Sequence, residues 1–138
     1  MVSNDEAIIA LDVGERRIGV AIAGLGSRLA RAWGTIERSA ESVQKIKELA
    51  TDEKAKAIVV GLPRGMEGQE TAQTAHTRAF ANELKPLGVP IYMQDETLTS
   101  KQAEAELMAR GVQYNKGDVD ALAALYILND FLEVHPEV

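Results

Sequence analysis

The chain has 138 residues, no cysteine, two histidines and a formal charge of −6. Disulfide frameworks and thiolate zinc sites are excluded. A histidine-based metal centre has little to draw on, and no apolar run approaches the roughly 20 residues that span a bilayer. One domain over residues 1–138 is the natural expectation, with enough chain for a real core.

Taken in order, the N-terminal MVSNDEA lacks the basic and apolar regions of a secretory signal. The first organised stretch is Ala7 to Ala23, AIIALDVGERRIGVAIA. Ala7–Val13 and Ile18–Ala23 have strand length and composition, and Gly14 with its charged neighbours makes a turn between them. Ala30–Ile36 reads as a third strand, interrupted by Gly34. Two short links in succession imply three antiparallel strands. Ser39 is placed to cap a helix running to about Asp52, with Val43, Ile46, Leu49 and Ala50 as its apolar stripe. Ala57–Leu62 is a buried strand ending at Pro63, and the Gly-rich loop Arg64–Glu70 follows. Thr71 opens a helix with Ala72, Ala75, Ala79 and Phe80 along one side, and Pro86 and Gly88 mark its end. Val89–Met93 is the last strand. Thr99 with Gln102 fits a capping box for a helix through Arg110, and Asp118–Val134 is a final, very apolar helix. The resulting order, β-β-β-α-β-α-β-α-α, predicts an α/β fold. Three antiparallel strands join two parallel ones in a five-stranded mixed sheet with helices on both faces.

Ligands of such sheets gather at the carboxyl ends of strands, and there the sequence places acids. Asp12 ends the first strand, on the face shared with Ile8 and Ala10. A carboxylate on an apolar face needs a compensating cation, unless Asp12 merely caps its turn. Asp95 and Glu96 lie just past the last strand, and Asp118 and Asp120 open the final helix. Carboxylates converging from three element ends suit hard ions such as Mg²⁺ or Mn²⁺. Two such ions about 4 Å apart clamp the attacking and leaving oxygens in phosphodiester hydrolysis. Single acids at helix starts also have a plainer role as partners of the helix dipole.

The helical wheel separates the last two acids. Asp120 falls within about 20° of Ile127 and Phe131, and Asp118 within about 20° of Asn129. Asp120 therefore heads the buried stripe and Asp118 the wet one. Arg16, Arg17 and Lys116 are the cations placed to touch phosphates. The chain is acidic overall, which weighs against nucleic acid. Yet residues 12–38 carry five arginines (16, 17, 28, 31 and 38) against Asp12, Glu15 and Glu37. His76 reads as a surface residue, His135 as part of a fraying tail, and Trp33 and Tyr92 as packing residues. The Arg64–Gly68 loop carries only a weak signal for a substrate-facing segment.

Four segments together resemble a known family: LDVGERRIGVA at 11–21, IVVGLPRGMEGQE at 58–70, DETLTS at 95–100 and NKGDVDALAALYIL at 115–128. They are similar, in the right order and over nearly the whole chain, to the YqgF family of Holliday junction resolvases and pre-16S rRNA nucleases. The resemblance implies a ribonuclease H-like fold, with Asp12, Glu96 of the DE pair and Asp120 as catalytic and metal-binding acids. It also implies a cytoplasmic nuclease that matures the 5′ end of precursor 16S ribosomal RNA, on its own or in a ribosomal precursor particle, with four-way DNA junctions as the alternative substrate. Monomer and homodimer both stay open. Three positions depart from the family pattern. Thr97 stands where an arginine is usual, Met66-Glu67-Gly68 replaces NDG or MDG, and Asp118 replaces a residue that is often basic.

Two other classes compete. Asp-x-Gly followed by a strand resembles the phosphate hairpin of sugar kinases and actin-like ATPases. Those close two lobes over a nucleotide, and 138 residues supply one. A non-catalytic RNA-binding module would keep the fold without the chemistry, and the intact acids argue against it.

Overall fold

The computed structural model describes residues 6–96, 99–111 and 113–138. Strands β1 (Ala7–Val13), β2 (Arg17–Gly24) and β3 (Ala30–Glu37) lead into helix α1 (Ser42–Asp52) and strand β4 (Ala55–Pro63). Helix α2 (Ala72–Glu83), a 3-10 turn over Lys85–Leu87 and strand β5 (Ile91–Glu96) follow. Helices α3 (Thr99–Arg110) and α4 (Lys116–Val134) complete the chain. The sheet order is β3-β2-β1-β4-β5. The first three strands pair antiparallel, and β4 and β5 add parallel to β1. This is the mixed five-stranded sheet expected from the order of elements.

Strand alternation divides the core into two layers. Ile9, Leu11 and Val13 face Ile46 of α1 and Phe80 and Leu84 at α2. Ile8 and Ala10 face α4, whose Ala124, Ile127, Leu128 and Phe131 are buried on that side of the sheet. Helix α3 packs outside α4, through Ala103 and Leu107 against Leu122 and Ala123. Among the described residues no helix is long and apolar enough to cross a membrane.

Several boundaries differ from the sequence reading, each for a local reason. Helix α1 starts at Ser42, not after Ser39, and its N-cap Glu41 makes no side-chain cap bond. Ser39 N donates to Ser42 Oγ, which donates to the Glu37 carbonyl, so the serines tie the preceding turn instead. Thr71 does cap α2, in a capping box with Thr74. The buried face of α2 is Thr74, Thr77, Phe80 and Ala81, however, and of the expected stripe only Phe80 is inside. Polar anchors set this rotation: Thr74 donates to the Pro63 carbonyl, and Gln73 donates to the Val13 carbonyl. Strand β5 begins at Ile91 and runs to Glu96, rather than over Val89–Met93. Proline 90 has no N–H for a ladder, but its carbonyl accepts from Ile58 N and starts the pairing. The Thr99 side chain and Thr97 lie outside the described residues.

His135 does not fray. It ends α4 with its ring 4.3 Å from that of Phe131, which in turn meets Tyr92 at 5.1 Å. Trp33 lies on the edge strand β3 and is 43% exposed, and His76 sits on the surface as expected. Arg28, at a left-handed φ of 56° between β2 and β3, donates its guanidinium to the carbonyls of Leu132, His135 and Val138. It thereby serves the carbonyls that a helix end leaves without partners.

Two glycines decide how closely α4 can lie on the sheet. A Cβ on Gly19 would stand 1.9 Å from the Asp120 carbonyl oxygen, in helix backbone that cannot swing away. A Cβ on Gly61 would stand 2.4 Å from Ile127 Cδ1, the end of a flexible side chain. We therefore expect Gly19→Ala to cost about 1–3 kcal/mol, as overpacking in a core does, and Gly61→Ala to cost less. Urea denaturation midpoints of the two variants check this order.

Candidate active site

The carboxyl end of β1 is a polar point on an apolar layer. Asp12 pairs in register with Gly19 and shares its face with Ile8 and Ala10, so its carboxyl is half-buried beneath the start of α4. Alternation along β5 chooses between the two acids there. Glu96 lies on the same face as Tyr92, toward α4, and pairs in register with Pro63. Its Oε2 reaches over Gly61, where an added Cβ would come within 3.0 Å. Asp95 points to the other face and is exposed, and its Oδ1 accepts from Arg64 at 3.2 Å and 3.3 Å. Because both acids belong to the strand, pleat rather than loop geometry sets their directions.

Helix α4 makes the same kind of choice. It begins at Lys116, two residues before the expected start, with Asn115 as N-cap. Asp118 is thus the third helical residue and closes a capping box: its Oδ2 accepts from Asn115 N at 3.0 Å, and Asn115 Oδ1 accepts from Asp118 N at 2.9 Å. Asp118 is exposed and used by the helix itself, and the departure from the family pattern at this position serves the cap. Asp120, half-buried, lies over Gly19 and against β2.

The three carboxyls Asp12, Glu96 and Asp120 are near enough to act on one another. Burial first, then the charge of Glu96, then that of Asp120, push the Asp12 carboxyl up to about 8. The cations are arranged less evenly. Arg17 Nε donates to Asp120 Oδ2 at 2.8 Å, where the sequence placed it to touch a phosphate. Lys116 is exposed on the first turn of α4, and Arg16 is exposed on the turn before β2. Arg17, Lys116, Glu104, Tyr114, Asn115 and Asp120 line a cavity of about 450 Å³ beside the acids. Arg16 is not among its lining residues. The Arg64–Glu70 loop lies apart from this cavity and is tied to itself: Gly65 N donates to the Gln69 carbonyl, and Arg64 pairs with Glu70 and Asp95.

The sequence reading missed Gly19, Gly61, Tyr114 and the Arg17–Asp120 pair. A glycine inside an apolar strand is a signal of close backbone approach, so the two glycines were detectable in RIGVA and VVGLP. Nothing local to Arg17 points to a partner 103 residues away.

The donor set tests what the site can hold. Among the described residues, no three His, Cys, Asp or Glu side chains already stand as a cage for one metal ion, and Asp120 gives one carboxylate oxygen to Arg17. The chemistry nevertheless fits a hard divalent cation. All three facing groups are carboxylates, and their mutual repulsion at Asp12 is what a cation relieves.

Residues 6–134 match the family RuvX, described as Holliday junction resolvase. The chain belongs to the RuvX family. This is the family that the sequence resemblance named YqgF, and RuvX proteins are nucleases, hydrolases of phosphodiester bonds. A RuvX relative from Anaeromyxobacter dehalogenans (strain 2CP-C) is 42% identical over 130 residues, covering 91% of this chain and 95% of its own length. One from Pseudomonas savastanoi pv. phaseolicola is 36% identical over 137 residues, covering 95% and 94%. Both carry the name "Putative pre-16S rRNA nuclease". Among solved structures, T. thermophilus RuvC in complex with a Holliday junction substrate aligns with a TM-score of 0.57 at 19% identity, over 96% of this chain and 98% of that one. Fowlpox virus resolvase with Holliday junction DNA aligns with a TM-score of 0.55 at 10% identity, over 93% and 97%. At these identities the neighbours show the fold, the ribonuclease H-like one expected for RuvX.

Asp12 gives the site a pH signature. In the unfolded chain this carboxyl ionises near 3.8, and in the fold near 8. Between those values the folded state holds the extra proton, so the contribution of Asp12 to stability falls as pH rises and is fully lost above about 8. We expect metal-free Asp12→Asn to match the wild type near pH 4 and to exceed it increasingly toward pH 8, by several kcal/mol at most. Mn²⁺ added to the wild type should narrow that gap. Denaturation midpoints across the pH range, with and without Mn²⁺, measure both.

Proposed function

We propose that this protein is a divalent-metal-dependent nuclease that trims the 5′ end of precursor 16S ribosomal RNA in the cytoplasm, as a single ribonuclease H-like domain over residues 1–138. The observation that carries the reading is the gathering of Asp12, Glu96 and Asp120 from three elements at one end of the α4-facing layer, close enough that both others raise the Asp12 carboxyl. Three acids crowded on an apolar layer cost stability, and a fold without a use for a cation gains nothing by assembling them. RNA is favoured over DNA because relatives at 36% and 42% identity carry the RNA-processing name.

In this reading Asp12, Glu96 and Asp120 hold Mg²⁺ or Mn²⁺, as two ions. When bound, the ions supply Lewis acidity and an activated water. Asp12 gives up its proton on loading, so occupancy rises with pH. Arg16, Arg17 and Lys116 hold backbone phosphates, with Lys116 at the mouth of the cavity that Arg17 and Asp120 share. Such contacts position a strand without reading its sequence.

Cleavage of four-way DNA junctions is the second reading. It is favoured by the family description and by the junction complexes among the structural neighbours. Incubation of end-labelled 16S precursor RNA and of a labelled four-way DNA junction, each with and without Mn²⁺, separates the two. Mn²⁺-dependent shortening of the RNA 5′ end alone is the expected result. Cutting of the junction alone transfers the assignment to the second reading, and cutting of neither leaves a non-catalytic RNA-binding module.

Two substitutions locate the chemistry. Asp120→Asn should abolish Mn²⁺-dependent cleavage. Asp118→Asn keeps an oxygen for the capping box and should cost about 0.5 kcal/mol of stability with cleavage retained. Activity assays and thermal melts of both proteins check this. For binding, Lys116→Ala should weaken affinity for unrelated RNA sequences alike. It should also reduce the slope of log affinity against log salt by about 1, as read by fluorescence anisotropy at several salt concentrations.

A further inference from the structure

We propose that Arg17 is a positioning residue that exchanges Asp120 for a substrate phosphate, so that nucleic acid and metal ion assemble the site together. This rests on the metal-dependent nuclease reading above and adds to it an order of assembly. In the structure Arg17 Nε donates to Asp120 Oδ2 at 2.8 Å, so one of the two Asp120 carboxylate oxygens is already engaged by the guanidinium. No three acids are gathered as a metal cage among the described residues, although Asp12 feels the charge of both others. The pair is not sealed: the Arg17 and Asp120 side chains are 29% and 23% exposed, and both line the cavity that Lys116 and Tyr114 open to solvent. Partly exposed ion pairs hold weakly. A guanidinium takes a phosphate as readily as a carboxylate, because its planar fork matches both.

The energetic logic is a double exchange. A metal ion arriving alone must take Asp120 from Arg17 and leave a guanidinium without its anion. A phosphate arriving alone must displace Asp120 and leave a third carboxylate facing Asp12 and Glu96. Arriving together, the phosphate satisfies Arg17 and the ion satisfies Asp120. Each ligand then raises the affinity for the other by the same factor. Lys116 shares the cavity but is exposed on the first turn of α4, so it contributes to phosphate affinity without this coupling. The position of Arg17 suits the role. It is the first residue of β2, two before Gly19, so its side chain lies on the α4 face beside the point where helix and strand backbones meet.

The test is Mn²⁺ binding, read from loss of the free-ion signal in electron paramagnetic resonance. Full-length wild type, Arg17→Gln, Arg17→Lys, Arg16→Gln and Asp12→Asn are titrated with and without saturating single-stranded RNA whose linkages are all phosphorothioate, to resist cleavage. In the wild type the RNA should raise Mn²⁺ affinity about tenfold, within the usual range of coupling between sites. In Arg17→Gln the RNA-free affinity should already be raised and the enhancement should vanish. Arg17→Lys, with the charge but not the fork, should retain only part of it. Arg16→Gln removes the same charge from the neighbouring residue; it should weaken RNA binding, which saturating RNA offsets, and keep the full ratio of Mn²⁺ affinities with and without RNA. An Arg17→Gln protein that keeps the wild-type enhancement, or that binds Mn²⁺ more weakly without RNA, overturns the proposal. Equal loss of enhancement in Arg16→Gln also overturns it, because the effect is then general charge. Mn²⁺ binding that Asp12→Asn leaves unchanged overturns the metal reading itself, and this inference with it. Should Arg17→Gln fail to fold, judged by its urea transition, Arg17→Lys carries the comparison.

Discussion

Carboxylates repel, and the fold holds three of them at one end of a layer otherwise built of alanine, isoleucine, leucine and phenylalanine. The arrangement depends on how closely α4 lies on β2. At Gly19 the helix backbone comes so near that no side chain fits between them, and that approach lowers Asp120 to the level of Asp12. A wider spacing, as between most helices and sheets, would put Asp120 among solvated charges and leave Asp12 as a capped turn residue. The binding energy of the apolar stripe Ala124, Ile127, Leu128 and Phe131 offsets the electrostatic cost at its N-terminal end. Packing and chemistry are thus properties of the same helix, and a change in one is felt in the other.

Much of this was legible in the sequence. Period-two and period-3.6 patterns give the elements, and the order of elements gives the sheet, because short links force antiparallel pairs and helical crossovers force parallel ones. The wheel position of Asp120 followed from Ile127 and Phe131 alone. What could not be read has a common cause: it depends on contacts between residues distant in sequence. The rotation of α2 is fixed by the Pro63 and Val13 carbonyls, which hydrophobicity cannot see, so an alanine stripe was expected to be inside where threonines are. The DE pair looked like a loop because strand propensity fades at Gln94, yet pairing with β4 continues to Glu96. The ring contacts of His135 required knowing that Tyr92 lies beside Phe131.

The net charge of −6 was a poor guide to the partner because it averages over surfaces with different work to do. Acids gather at the cluster beneath the start of α4, at the α4 cap and in surface ion pairs such as Glu70 with Arg78. Around the cavity the sign is mixed, with Arg17 and Lys116 set among Glu104 and Asp120. Such a mixture binds an anionic polymer poorly until a cation joins it. It therefore accords with the joint uptake of metal ion and phosphate proposed above.

The clasp of Arg28 on the last carbonyls of α4 has a consequence for how the molecule comes apart. The helix is fastened at its far end by the β2–β3 turn and at its near end by Arg17, the first residue of β2. Both fastenings belong to one antiparallel hairpin, β2 and β3, so α4 is tied at both ends to that hairpin. Asp120 rides on α4, and Asp12 on β1, which pairs with β2. Glu96 lies farther out: it sits at the end of β5, an outer strand joined to the sheet only through β4. Outer strands open at lower free energy than the centre of a fold. Release of β5 alone would remove one acid of the cluster while the other two stay in place, so the cluster is less durable than the fold that carries it.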